Sequence, residues 1–417
     1  MQEGNRRMNF ELIAPCHFGL ESVLKNEIYD LGYEITSVED GRVTFAGDEE
    51  AVVLSNLHLR TAERILLKVG SFHAESFEDL FQGTMALPWE EYLPSDARFW
   101  VTKAASVKSR LFSPSDIQSV MKKAMVERMK QRWHTQRFPE TGASYPVRVF
   151  LKKDEVSVAL DTSGDSLHKR GYRRTPVKAP IAENLAAALL MLTPWKPDRI
   201  LVDPFCGSGT FLIEAAMIAA NIAPGLKRQF TAQSWTNLIP KDLWGDLKSD
   251  AQSAIALPSS CDIQGYDIDP AAIRAARENA KLAGVDSLIH FQARDVKDLS
   301  HSGKYGFIVT NPPYGQRLTD DEHGGDIYPT AVHPKQERQE NAGADDEIIS
   351  ALYKTLGDRM KFLDTWSLYL ITSYPGVEKL IGKKAAKKRK VYNGMIQTCY
   401  YTFPGPKPSG SSRPTKE

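Results

Sequence analysis

Cysteine is scarce and scattered. Cys16, Cys206, Cys261 and Cys399 are the whole complement of 417 residues. They show neither paired spacing nor a histidine pair beside them, which excludes a disulfide framework and a structural zinc as organising devices, and no metal is expected. Long apolar runs are also absent: nothing approaches the roughly 18 residues that a bilayer span needs. The opening MQEGNRRMNF lacks the apolar stretch of a signal peptide. A cytoplasmic protein with no membrane partner is expected. No internal repeat is present, and neither GxGxxG nor the GxxxxGK phosphate loop occurs, so the two commonest glycine-loop nucleotide motifs are missing.

What is there is ordinary in bulk and uneven in detail. Apolar residues make up 42% and charged residues 25%, a globular composition whose length suits two to three domains. The net charge of +1 conceals a division: residues 1–97 hold 7 Lys/Arg against 18 Asp/Glu, and residues 98–178 hold 18 against 7. The second stretch is the candidate face for a polyanion.

Along the chain, short apolar runs alternate with polar ones to about Gly70, with a hairpin signal at Asp40-Gly41. That order predicts a small α+β unit. A second α/β unit follows: a helix over SFEDLFQGTMALPWEEYL, the strand FWVTKAASVKS, a helix from about Ser115 to Trp133, and strands near Tyr145–Leu151 and Val156–Leu160. The basic bridge DSLHKRGYRR-TPVKAP, with two prolines, marks the main boundary. Beyond Pro180, helices alternate with short β runs, the pattern of a parallel sheet covered on both faces. Two stretches interrupt it, about 225–258 and the polar 320–347, and both are expected to border the ligand pocket. The tail beyond Pro404 is expected to be disordered.

Within that alternation, RILVDPFCGSGTFLIEAA reads as a buried strand, a turn with glycines at 207 and 209, and a helix opening near Thr210. Glycine lets a ligand approach the backbone because no Cβ intervenes. In CDIQGYDIDP, Asp267 ends the next strand, and an acid there commonly holds ribose hydroxyls. Asp269 caps the following helix, with Pro270 at its first position and Gly284 closing it. LIHFQARD ends in Asp295, which can accept from an adenine amino group or serve as a plain helix cap. In GFIVTNPPYG, Asn311 stands at a strand's carboxyl end, followed by a rigid proline turn. A nucleobase amine is a poor nucleophile because its lone pair is delocalised, so the Asn311 oxygen and the Pro312 carbonyl suit the task of holding an NH2. Tyr314 suits stacking on a base swung out of its helix.

In that order, DPFCGSGT, GYDID, ARD and NPPYGQRL resemble the class I methyltransferases that act on exocyclic amines, and the glycine after tyrosine is similar to their RNA guanine-N2 branch. The stretch LHKRGYRRTPVKAPIAENLAAALL resembles the join between a THUMP RNA-binding domain and such an enzyme. The resemblance covers nearly the whole chain. It is closest to the bacterial 23S rRNA guanine-N2 methyltransferases, whose longer members fuse a second methyltransferase that this chain is too short to hold.

The resemblance implies an α/β fold: a Rossmann-like class I methyltransferase sheet preceded by a ferredoxin-like plus THUMP region. The implied division is 1–68 ferredoxin-like, 69–165 THUMP, 166–405 methyltransferase and 406–417 tail. The implied cofactor is S-adenosyl-L-methionine, held by Asp203, Pro204, Cys206, Gly207, Ser208, Gly209 and Thr210, by Asp267 and Ile268, by Asp295 and Val296, and by Asn311, with Pro180 and Glu183 contributing from upstream. Asn311, Pro312, Pro313 and Tyr314 match the catalytic motif. The implied partner is RNA, 23S rRNA or a ribosomal precursor, with no obligate protein partner. Alternatives are a tRNA guanine-N2 enzyme, an adenine-N6 enzyme, and a non-catalytic assembly factor.

For RNA, candidate phosphate contacts are Lys103, Lys108, Arg110, Lys122, Lys123, Lys130 and Arg132 in the basic block, and Lys169, Arg170, Arg173 and Arg174 in the bridge. A further basic run, KKAAKKRK at 383–390, leads into a hairpin with Asn393-Gly394 as its expected turn.

Overall fold

Residues 9–173, 180–258, 260–314 and 342–408 are described by the computed structural model. They divide into two units. One contains residues up to 16 with 24–167 and 223–253; the other contains 17–23, 168–222 and 254 onward.

The first unit is built on β1 (Phe10–Pro15), α1 (Glu21–Asp30), β2 (Ile35–Glu39), β3 (Arg42–Gly47), α2 (Glu49–His58), β4 (Leu66–His73), α3 (Phe77–Ala86), α4 (Trp89–Tyr92), β5 (Arg98–Val107), α5 (Pro114–Trp133), β6 (Ser144–Lys152) and β7 (Glu155–Asp161). The helix expected over 76–93 breaks at Leu87-Pro88, where proline supplies no N–H and disfavours helix in the residue before it. The strands of both N-terminal units form one seven-stranded sheet, in the order β2-β3-β1-β4-β7-β6-β5. The seam is β4, which pairs with β1 at Leu12↔Leu67 and Ile13↔Leu66 and with β7 along its other edge. A division at 68–69 therefore falls inside a strand.

The second unit begins with α6 (Glu183–Met191), β8 (Leu201–Asp203) and α7 (Thr210–Ala219). The chain then makes an excursion, carrying α8 (Leu243–Ser253), that belongs to the first unit. It returns for β9 (Ile263–Asp267), α9 (Pro270–Ala283), β10 (Ile289–Ala293), β11 (Phe307–Thr310), α10 (Ala342–Phe362), β12 (Ser367–Thr372), α11 (Val377–Ile381), β13 (Lys387–Asn393) and β14 (Ile396–Phe403). The sheet order is β10-β9-β8-β11-β12-β14-β13, with the first five strands parallel and the last two antiparallel. A parallel sheet with β8 at its centre puts every loop that follows a strand on one edge, where open α/β sheets bind ligands.

The excursion explains its own aromatics. Phe230, Trp235, Leu238, Ile239 and Trp244 are buried in the first unit's core. The Trp235 ring stacks on Tyr145 at 4.9 Å and its N–H donates to the Ser144 carbonyl at 2.8 Å. These side chains are spent on packing in that unit. The other interrupting stretch lies mostly outside the described residues.

Candidate active site

The chemistry converges on the ends of β8, β9 and β11. Asp203 closes β8 and is 2% exposed. Its carboxylate accepts from the Phe205 amide at 3.1 Å and from the Thr310 hydroxyl at 2.6 Å, so the ends of β8 and β11 are tied through one side chain. Burial pushes this carboxyl up to about 7, against the pull of the two hydrogen bonds.

The turn after Asp203 is held open by its neighbours. Gly209 has φ +82, and a Cβ there would stand 3.0 Å from the Phe291 ring and 3.2 Å from the Ala276 Cβ, so glycine is required twice over, for conformation and for space. The Gly207 amide donates to Asp267 at 2.9 Å, and the Asn279 side chain of α9 donates to the Ser208 carbonyl at 3.1 Å. Asp267 also accepts from the Asp269 amide at 3.0 Å, and burial raises its carboxyl. Beside it, Ile268 is 72% exposed. An apolar side chain left open next to a carboxylate at a strand end offers what a nucleoside needs: a face for the base and an acceptor for the ribose hydroxyls. Cys206 is buried, with its thiol pushed well up by desolvation, and Pro204, Ser208 and Thr210 are buried as well.

Upstream, Arg173 donates to the Thr210 hydroxyl at 2.9 Å and the Ile181 carbonyl at 3.1 Å, and lies 3.4 Å from Glu183. Glu183 is buried, and desolvation raises its carboxyl against the pull of Arg173. Its second oxygen has no hydrogen-bond partner among the described residues. Pro180 is half-buried at the start of this segment.

Asp295 caps the 3-10 turn 296–298 by accepting from the Lys297 amide at 2.9 Å, and that bond lowers its carboxyl below the usual range. Val296 is buried among Leu356, Leu363 and their neighbours, so only its backbone is left to meet a ligand.

At the turn after β11, the Asn311 side-chain oxygen is buried without a hydrogen-bond partner among the described residues. Pro312 is buried and Pro313 exposed. Tyr353 of α10 sits beneath, 2.7 Å from the Thr372 hydroxyl and within 3.4 Å of the Pro313 carbonyl. Tyr314, expected as an open stacking platform, is 1% exposed, and its hydroxyl accepts from the Asn393 side chain at 3.0 Å. As placed, its ring is covered. Thr310, Asn279, Tyr353 and Asn393 were missed as contributors, and of these only Thr310, adjoining Asn311, carried any local signal.

The basic residues sort by burial. Arg170 is 3% exposed and lies 3.6 Å from the buried Glu214, and Arg173, partly exposed, bonds to Thr210 and Ile181 and lies beside Glu183. Lys122 donates to the Phe99 carbonyl with its ammonium 4.1 Å from that ring's centre, and burial lowers its pKa. Lys130 pairs with Glu127, Arg132 with Glu90, and Arg110 with Glu75. Lys108, Lys123 and Lys169 are exposed and Lys103 is half-buried. Arg174 lies outside the described residues.

A parallel sheet of this order, a glycine turn after its first strand, an acid ending the second and an Asn-Pro-Pro-Tyr turn after the fourth define a class I methyltransferase. Three family models match the chain: the RlmL ferredoxin-like domain over residues 11–66, the THUMP domain over 74–161, and the RMKL-like methyltransferase domain over 170–344. A Bacillus subtilis protein named provisionally as RNA methyltransferase YpsC is 42% identical over 400 residues, 94% of this chain and 96% of that one. The ribosomal RNA large subunit methyltransferase K/L of Syntrophotalea carbinolica is 34% identical over 411 residues; the match takes in 94% of this chain but 53% of that protein, so this chain spans about half its length. Among solved structures, SMU.472, named provisionally as a methyltransferase and complexed with S-adenosylhomocysteine, has a TM-score of 0.85 at 38% identity, over 96% of this chain and 99% of that one. A Listeria monocytogenes protein named on prediction as an N6-adenine-specific DNA methylase has a TM-score of 0.84 at 42% identity, over 96% and 97%. The chain belongs to the THUMP-containing, RMKL-like methyltransferase family, and its methyl donor is S-adenosylmethionine.

Proposed function

We propose that the protein transfers the methyl group of S-adenosylmethionine to the exocyclic N2 of a guanine in 23S rRNA. The observation that carries the reading is the Asn311 oxygen, desolvated and without a partner among the described residues at the end of β11, where the Asp203–Thr310 bond fixes the strand. A buried acceptor left unmade costs free energy. Its retention at a strand end is accounted for by a ligand N–H that completes it.

The donor-side residues fit S-adenosylmethionine: Gly207 and Gly209 clear the backbone, Asp267 offers lone pairs for ribose hydroxyls, Ile268 offers an apolar face for adenine, and the buried second oxygen of Glu183 suits an ammonium. When bound, this donor supplies a methyl carbon on a positively charged sulfur. Asn311 and the Pro312 carbonyl accept the two amine hydrogens and favour a more tetrahedral nitrogen, whose lone pair then forms the N–C bond as the C–S bond breaks. The rate comes mainly from alignment. No histidine base is needed, because the proton leaves to solvent after the nitrogen has become cationic.

The name of the S. carbinolica relative, the THUMP domain and the basic block over 98–178 support ribosomal RNA as the substrate. Adenine-N6 is the second reading, favoured by the name of the Listeria structure. Purified protein, labelled donor and unmodified 23S rRNA or a tRNA pool test the first reading, and nucleoside analysis of the product separates N2-methylguanosine from N6-methyladenosine. Transfer to tRNA alone, or label in adenine, overturns it.

A further inference from the structure

We infer that the β13–β14 hairpin docks the RNA strand flanking the target nucleotide, and that Asn393 is a positioning residue linking that docked strand to the catalytic turn. This rests on the RNA reading above. Six of the eight residues at 383–390 are Lys or Arg, and β13 is the terminal strand of its sheet. Part of this charge is spent within the protein: Lys388 pairs with Glu378, Arg389 donates to the Gly19 carbonyl, and Lys383 donates to the Pro404 carbonyl at 2.9 Å. Lys384, Lys387 and Lys390 are exposed and make no ion pair with an acid among the described residues.

The strand carries more than charge. Alternation puts Lys388, Lys390 and Tyr392 on one face, about 6.8 Å apart in sequence. The Lys390 ammonium lies 5.8 Å from the Tyr392 ring centre. One unspent cation, Lys390, beside a half-buried aromatic ring suits tracking a backbone while a base stacks, with Lys387 on the strand's other face and Lys384 just before it adding charge along the edge. The hairpin turns at Gly394–Met395, one residue later than the sequence suggested, because Asn393 stays in the ladder opposite Ile396. Met395 is consequently left at the tip, 68% exposed. The Asn393 side chain, instead of closing the turn, reaches Tyr314 of the catalytic motif.

Lysines on an edge strand also discourage sheet-to-sheet pairing. That role accounts for the charge but not for the Asn393–Tyr314 bond or an apolar side chain at the tip, and it leaves RNA affinity untouched.

The test uses the full chain, unmodified 23S rRNA and two variants. For Lys384→Gln/Lys387→Gln/Lys390→Gln, the slope of log affinity against log salt should fall by about 2, from roughly 0.7 to 0.9 per lost phosphate contact. Binding of S-adenosylhomocysteine and the melting temperature should hold. Should the triple variant fold poorly, Lys390→Gln alone should lower the slope by about 0.7 to 0.9. Asn393→Ala should lower kcat while leaving KM for RNA and donor affinity unchanged, which a role confined to hairpin stability would not do. Wild-type slope and affinity in the folded lysine variants, or unchanged kcat in Asn393→Ala, overturn the proposal while the function above stands. Failure of the wild-type protein to bind any RNA overturns both.

Discussion

Replacing Asn311 by alanine should separate stability from catalysis, because the same oxygen acts oppositely on the two. In the resting protein that oxygen is buried with no partner among the described residues, a state that costs about 1 to 3 kcal/mol for a typical polar group. Asn311→Ala removes this cost along with a few packing contacts, so the melting temperature should stay level or rise. On the proposed mechanism the oxygen gains its partner during transfer, the amine hydrogen that becomes more acidic as the nitrogen turns cationic. Deleting one such preorganised group typically slows a reaction by roughly 10² to 10³, or about 3 to 4 kcal/mol. Single-turnover transfer of labelled methyl with enzyme in excess over RNA reads the chemical step, and calorimetry with S-adenosylhomocysteine reads the donor site, which should remain nearly intact. Asn311→Asp, which restores an acceptor, should recover part of the rate. An unchanged single-turnover rate in the alanine variant would refute the reasoning, as would a large fall in melting temperature accompanied by lost donor binding, the mark of a structural asparagine.

Three further outcomes follow from the same geometry. Asp203 titrates near 7 in the folded protein against an ordinary 3.8; folding therefore favours its protonated form, and the associated stability is present below 3.8 and lost as pH rises toward 7. Asp203→Asn, permanently neutral, should gain melting temperature on the wild type through that interval and hold the gain above it, whereas a constant difference across the range counts against the shift. Gly209→Ala places a Cβ 3.0 Å from the Phe291 ring at φ +82, a left-handed conformation costing about 1 to 2 kcal/mol before any clash; donor affinity and the urea midpoint should both fall. Trp235→Ala removes the Tyr145 stack and the bond to Ser144, and by the usual scale for a buried tryptophan should cost about 3 to 5 kcal/mol in urea unfolding.

What the sequence disclosed was chemistry closed within a few residues. The Asp269 cap, Pro270 and Gly284 bound α9 as local rules require, and the glycine turn, Asp267 and Asn311 fall at strand ends because a short β run followed by a helix start leaves them no other place. What it concealed was pairing between distant residues. Leu12 opposite Leu67 joins the strands of the two N-terminal units into one sheet, and nothing in either run names its partner. The stretch 225–258 was expected to border the ligand pocket, and nothing in it announces that Trp235 and Trp244 pack in the first unit's core, because aromatic side chains serve cores and ligands alike.

Charge misled for the same reason. Arg170 belongs to a basic bridge by sequence, yet it lies in the interior beside Glu214, 44 positions on, and Lys122, in the helix with the densest positive charge, is held against Phe99. A cation contributes to phosphate affinity only to the extent that its charge is not already neutralised or buried, since salt dependence counts released counterions and not formal charges. The 18 Lys and Arg of residues 98–178 therefore overstate the contacts this block can make with RNA. A measured slope near the full count would mean that pairs such as Arg132–Glu90 and Lys130–Glu127 open on binding. A shallow slope would mean that the side chains already exposed, Lys108 and Lys123 among them, carry the contact.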